Sequence, residues 1–112
     1  MIPPRAGLEL DPSAVSERLR SPSPPVLVDV REDWEVQLAP MPGAVHIPLR
    51  ELPARAPEEL SASVETVVVC HHGIRSLQGA LVLRGLGFSS AWSLRGGTDL
   101  WARTVDPSVR RY

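Results

Sequence analysis

Two short runs constrain this chain more than anything else in it: Val26-Leu27-Val28-Asp29-Val30 and Thr66-Val67-Val68-Val69-Cys70. Both are rich in β-branched apolar residues without polar alternation, the pattern of a strand covered on both faces. Helix-like segments recur around them. Asp11 followed by Pro12 reads as an N-cap with proline at the first helical position, opening a short amphipathic helix that carries Val15 and Leu19 to about Arg20. Trp34 to Leu38 gives one or two helical turns and Leu49 to Arg55 a small helix. Arg75 to Leu86 gives a longer one, with Leu77, Ala80, Leu81 and Leu83 as its apolar surface and Gly85 and Gly87 at its end. Residues 7–10 and Ser90 to Leu94 read as further strands, and Ala44 to Pro48 as a short extended piece. Ser21-Pro22-Ser23-Pro24-Pro25 is a connector, and Gly96-Gly97 introduces a last short helix around Leu100 and Trp101. Alternation of this kind predicts an α/β fold: a small, mainly parallel sheet flanked by helices on both faces, with ligands beyond the carboxyl ends of the strands.

A chain of 112 residues fits one domain, expected over residues 1–112, and can bury a core without a disulfide or metal staple. Aromatics are only 4%, so aliphatic side chains must fill that core. Twelve positive residues face 13 negative ones, for a net charge of −1, and this leaves no basic excess to hold nucleic acid. All 12 cations are arginine, and prolines also number 12, a bias that fits either a GC-rich genome or thermal stability. No run approaches the roughly 18 apolar residues that span a bilayer, and the opening Met1 to Gly7 lacks the apolar centre of a leader peptide. A cytoplasmic protein is expected. Its single cysteine excludes an internal disulfide and suits a reducing compartment.

That cysteine is where the chemistry concentrates. In Cys70-His71-His72-Gly73-Ile74-Arg75-Ser76 a buried strand delivers a thiol to its end, and a tight glycine-containing loop then opens a helix. Backbone N–H groups converging from such a loop and helix start, with Arg75 close by, favour the thiolate over the thiol. The same donors suit a tetrahedral anion. A bland alternative stands beside each of these residues. A lone strand-end cysteine is by default a small buried hydrophobe. Arg75 either meets an anionic ligand or pairs with a distant carboxylate. His71 and His72 line the loop or are merely exposed, and one Cys with three His lacks familiar zinc spacing, so no metal is expected. Asp29 and Arg31, at the end of a neighbouring strand, read as a charge network steadying the loop. His46, Gly96, Gly97 and Trp101 read as turn and packing residues, and Trp34 and Trp92 carry no chemical signal.

Four motifs in order resemble those of single-domain rhodaneses, over nearly the whole chain. They are Leu27-Val28-Asp29-Val30-Arg31-Glu32, Pro42-Gly43-Ala44-Val45-His46-Ile47-Pro48-Leu49, the loop Cys70 to Ser76, and Leu94-Arg95-Gly96-Gly97 with Trp101 four residues on. One departure is Ala39-Pro40-Met41, where the family commonly shows Gly-His-Ile. The resemblance implies a rhodanese-like fold and a thiosulfate sulfurtransferase working by double displacement. The Cys70 thiolate attacks the sulfane sulfur of a small anionic donor such as thiosulfate, sulfite departs, and a Cys70 persulfide remains. An acceptor then collects the sulfur: cyanide in the laboratory, a thiol or protein in the cell. It further implies that His71, His72, Gly73, Ile74, Arg75 and Ser76 form the binding loop, and that no metal or organic cofactor takes part. Two rivals remain. Cysteine-dependent phosphatases resemble Cys-x5-Arg, one residue longer than the Cys-x4-Arg found here, and a relay or binding module would hand sulfur to a dedicated protein.

Overall fold

The computed structural model describes residues 7–112; the opening residues 1–6, read above as lacking a leader, lie outside the described residues. Five strands form one parallel sheet: β1 (Glu9–Leu10), β2 (Val26–Asp29), β3 (Val45–His46), β4 (Thr66–Val69) and β5 (Ala91–Leu94), in the order β1-β5-β4-β2-β3. Every pairing is parallel, as the two unalternating runs require. The helices are α1 (Pro12–Leu19), α2 (Asp33–Leu38), α3 (Leu52–Glu59), α4 (Ile74–Gly85) and α5 (Gly97–Thr104), with a 3₁₀ turn at Leu49–Glu51 leading into α3.

The period-two geometry of β2 and β4 divides their side chains between two cores. Val28, Val30, Val68 and Cys70 face Leu52, Ala56, Ala80 and Leu83 of α3 and α4. Leu27, Val67 and Val69 face Val15 of α1 and Trp101 and Ala102 of α5. Both strands are thus covered on two sides, and the active loop follows the central strand of the sheet.

Two sequence expectations change. Leu81 points to solvent at 53% exposure, and α4 buries Ser76, Gly79, Ala80 and Leu83, the i, i+3, i+4, i+7 stripe that begins one residue earlier than the leucines suggested. Gly79 matters here, since a Cβ on it would come within 2.8 Å of Val68 Cγ1 of β4. The small helix at Leu49 to Arg55 continues to Glu59 through Pro57. Proline there removes one helical N–H, and the residue whose carbonyl is left over, Pro53, is exposed. Among the described residues no helix is long and apolar enough to cross a membrane.

Candidate active site

Cys70 follows β4 at the carboxyl end of the sheet, 1% exposed. Burial alone would fit an inert core cysteine, but the donors around its sulfur do not. Sγ lies 3.1 Å from the Gly73 N–H, 3.3 Å from the Ser76 N–H and 3.3 Å from Ser76 Oγ. The chain turns tightly enough to do this because Gly73 adopts φ +98°, a left-handed conformation that L side chains rarely tolerate. Ile74 then starts the 12-residue helix α4, whose positive dipole end lies beside the sulfur. The carbonyls of the loop are held as firmly as its N–H groups. Thr98 N–H donates to the Cys70 carbonyl at 2.8 Å and Asp99 N–H to that of His71 at 3.1 Å, so the first turn of α5 clasps the loop from behind.

Arg75 is not left free for an anion: its two terminal nitrogens donate to both oxygens of Glu35 at 2.6 and 2.8 Å. This is the distant-carboxylate pairing weighed above, and it anchors the loop to α2. Glu35 Oε1 also accepts the Glu32 N–H at 3.1 Å, and Oε2 accepts the Tyr112 hydroxyl at 2.7 Å, so the buried carboxylate is fully occupied. The Arg75 hydrogen bonds outweigh the opposing effect of burial and hold the Glu35 carboxyl down at about 2. The same pair raises Arg75 further above its already high range.

Asp29 and Arg31 form the adjoining network. Arg31 is fully buried; its Nε and Nη2 donate to Asp29 between 2.7 and 3.1 Å, Nη2 also donates to the Ala39 carbonyl, and Nη1 donates to the Tyr112 hydroxyl at 3.0 Å. Ala39 opens the segment that departs from the family pattern, and Met41 within it packs in the core. Tyr112 closes the circuit by stacking on His71, which in turn stacks on His72. Burial, reinforced by neighbouring His72, pushes the His71 imidazole below its ordinary range.

His72 and Ile74 are exposed and line an open cleft of about 410 Å³ with Glu9, Gly73, Arg95, Gly96 and Leu100. Gly73 is common to the cleft and the sulfur site, lining the one and giving its N–H to Sγ in the other. His71, His72 and Asp99 bring one possible donor atom each within 4.8 Å of the others. The two imidazoles lie face to face at 3.8 Å and 27°, so their in-plane lone pairs run side by side and do not converge on one ion. Asp99 is moreover engaged by Arg111 at 2.9 Å and Arg103 at 3.4 Å.

The structure thus gathers Cys70, Gly73 and Ser76 at the sulfur, sets Arg75, Asp29 and Arg31 in the bracing network, and turns His72 and Ile74 outward. Glu35, Tyr112 and Ser93, whose Oγ lies 2.7 Å from Ser76 Oγ, are not among the residues singled out from sequence. Glu35 carried a weak signal, standing three residues after Glu32 at a helix start; Tyr112 and Ser93 carried none.

An open parallel α/β sheet that ends its central strand in a cysteine-bearing loop of converging N–H groups defines the class of rhodanese-like domains. The family model of the rhodanese-like domain matches residues 11–104, and the chain belongs to that family. A sulfurtransferase of Allochromatium vinosum is 33% identical over 90% of this chain and 94% of its own length. The chloroplastic rhodanese-like/PpiC domain-containing protein 12 of Arabidopsis thaliana is 38% identical over 77% of the chain, which spans only 30% of that longer protein. Among solved structures, human single-domain sulfurtransferase TSTD1 superimposes with a TM-score of 0.78 at 27% identity, covering 88% of this chain and 97% of the human one.

Proposed function

We propose that the protein is a thiosulfate sulfurtransferase that works through a Cys70 persulfide. The observation that carries this reading is the convergence of the Gly73 and Ser76 N–H groups on one sulfur at the start of α4, with Ser76 Oγ in hydrogen-bond contact beside them. These donors favour an anionic sulfur without supplying a base, which is what a nucleophile in a two-step transfer needs. In the first step the Cys70 thiolate attacks the outer sulfur of thiosulfate; the new S–S bond forms as the old one breaks, and sulfite leaves with the electron pair. The persulfide carries its negative charge on the terminal sulfur, within reach of the loop amides of residues 71 to 76. In the second step cyanide, or in the cell a thiol or protein, attacks that terminal sulfur and returns the Cys70 thiolate. Arg75 keeps its loop anchored on Glu35, so the donors left for the anion are the loop N–H groups. A reducing compartment, the cytoplasm, suits such a thiol.

A phosphatase would need its arginine to grip an entire phosphoryl group, whereas this one is committed to a carboxylate in a loop one residue shorter. The test is an intact-mass spectrum of wild type and Cys70→Ser after thiosulfate, before and after cyanide. One added sulfur on wild type alone, removed by cyanide, is expected. No added sulfur on folded wild type overturns the reading.

A further inference from the structure

We propose that Ser93 is a positioning residue for the Cys70 sulfur, acting through Ser76 in a buried chain of hydroxyl groups. The proposal rests on the reading of Cys70 as the nucleophile. Ser93 Oγ lies 2.7 Å from Ser76 Oγ, which lies 3.3 Å from Cys70 Sγ. Ser76 and Ser93 are fully buried and Cys70 is 1% exposed, so no solvent competes along the chain. Ser93 is also held in place. It pairs in register with Glu9 of β1 and Val68 of β4, and its N–H donates to the Leu8 carbonyl at 2.6 Å. A hydroxyl buried within the Ala91–Leu94 strand is costly unless it is hydrogen-bonded, and Ser76 supplies that bond.

The chain has a direction, and the charge on sulfur sets it. With Cys70 as a thiol, the S–H donates to Ser76 Oγ and the Ser76 hydroxyl donates onward to Ser93. With Cys70 as a thiolate, the Ser76 O–H turns to the sulfur, and its oxygen then needs a donor of its own. Ser93 O–H provides it. The thiol proton is lost to solvent; the two hydroxyls keep their own protons, and their O–H bonds rotate. Each donor strengthens the next in a low-dielectric interior, so Ser93 stabilises the thiolate without touching it.

The readout is the ultraviolet absorbance of the thiolate as a function of pH, taken as the difference from Cys70→Ser; Cys70 is the chain's one cysteine. At a fixed pH below the midpoint, Ser93→Ala lowers the thiolate fraction roughly five-fold, and Ser93→Thr, which keeps the hydroxyl, restores it. In a Ser76→Ala background Ser93→Ala changes nothing, because the link is already cut. Equal shifts in both backgrounds, or none in either, overturn the proposal. If Ser93→Ala does not fold, Ser93→Gly enters the same cycle. Sulfur uptake by wild type is measured separately by mass; its failure overturns the sulfur-transfer reading, whereas the thiolate cycle judges the relay.

Discussion

Tyr112 lies flat on His71, ring centroids 3.8 Å apart and planes 6° from parallel, while its hydroxyl bridges Arg31 and Glu35. One side chain therefore joins the end of β2, helix α2 and the active loop. Burial pushes the phenol up to about 12, although the hydrogen bond from Arg31 works in the other direction. Because Tyr112 is the single tyrosine of the chain, its ultraviolet titration reports this contact without interference. A midpoint near 12 is expected, and an ordinary value near 10 would show the ring free of the loop. Tyr112→Phe keeps the stack and costs about 1 kcal/mol for the lost bridge, whereas Tyr112→Ala removes both and costs more.

Glu35 makes the loop sensitive to acid. Its folded value of about 2 lies below that of an unfolded glutamate, so its stabilising contribution is complete above about pH 4.5 and is lost as pH falls toward 2. Arg75 is 35% exposed, so screening discounts the contribution to about 1–2 kcal/mol. Urea unfolding of wild type and Glu35→Gln at pH 7 checks the difference. At pH 2 the two curves should converge; a gap that persists there would mean that Glu35 acts through packing and not through charge.

His71 works with the same sign by a different cause. Burial disfavours its protonated form, so His71 stays neutral at neutral pH, and stability falls as pH drops below about 6.5, where the unfolded imidazole takes up a proton first. Imidazole resonances of the three histidines, assigned with His71→Gln, should show His71 titrating below that value. A His71 midpoint above 6.5 would contradict the burial seen under Tyr112.

Much of this architecture was legible in the sequence because its causes are local. Unalternating β-branched runs fix strands covered on both faces, and a strand-loop-glycine-helix series fixes where Cys70 sits. What stayed hidden depends on long-range contact. Arg75 finds Glu35 across 40 residues and Arg31 finds Tyr112 across 81, and no spacing rule carries such pairings. The stripe of α4 was misplaced for a related reason: Leu81 looked like core, whereas Gly79 made the contact by having no side chain. Ser93 is set apart from other polar strand residues only by its partner on α4, 17 residues away in the chain.

Gly97 offers the sharpest test of how the loop is held. It has φ +62°, and a Cβ there would collide with the carbonyl oxygens of Cys70 and His71, which are backbone atoms and cannot swing aside. Gly96, at φ +75°, would instead meet the Leu100 side chain, Cβ and Cδ2 at 2.5 Å, and not the carbonyls of the loop. Both substitutions incur the left-handed penalty of about 1 kcal/mol, but only Gly97→Ala adds a clash against fixed backbone, so it should cost about 3 kcal/mol or more in urea unfolding. The two carbonyls are those bound by Thr98 and Asp99, so any relief must move Cys70 and loosen the clasp. Folded Gly97→Ala should therefore lose sulfur loading out of proportion to its stability, while Gly96→Ala keeps most of it. Equal costs and equal loading in the two variants would mean that the first turn of α5 does not set the position of the sulfur.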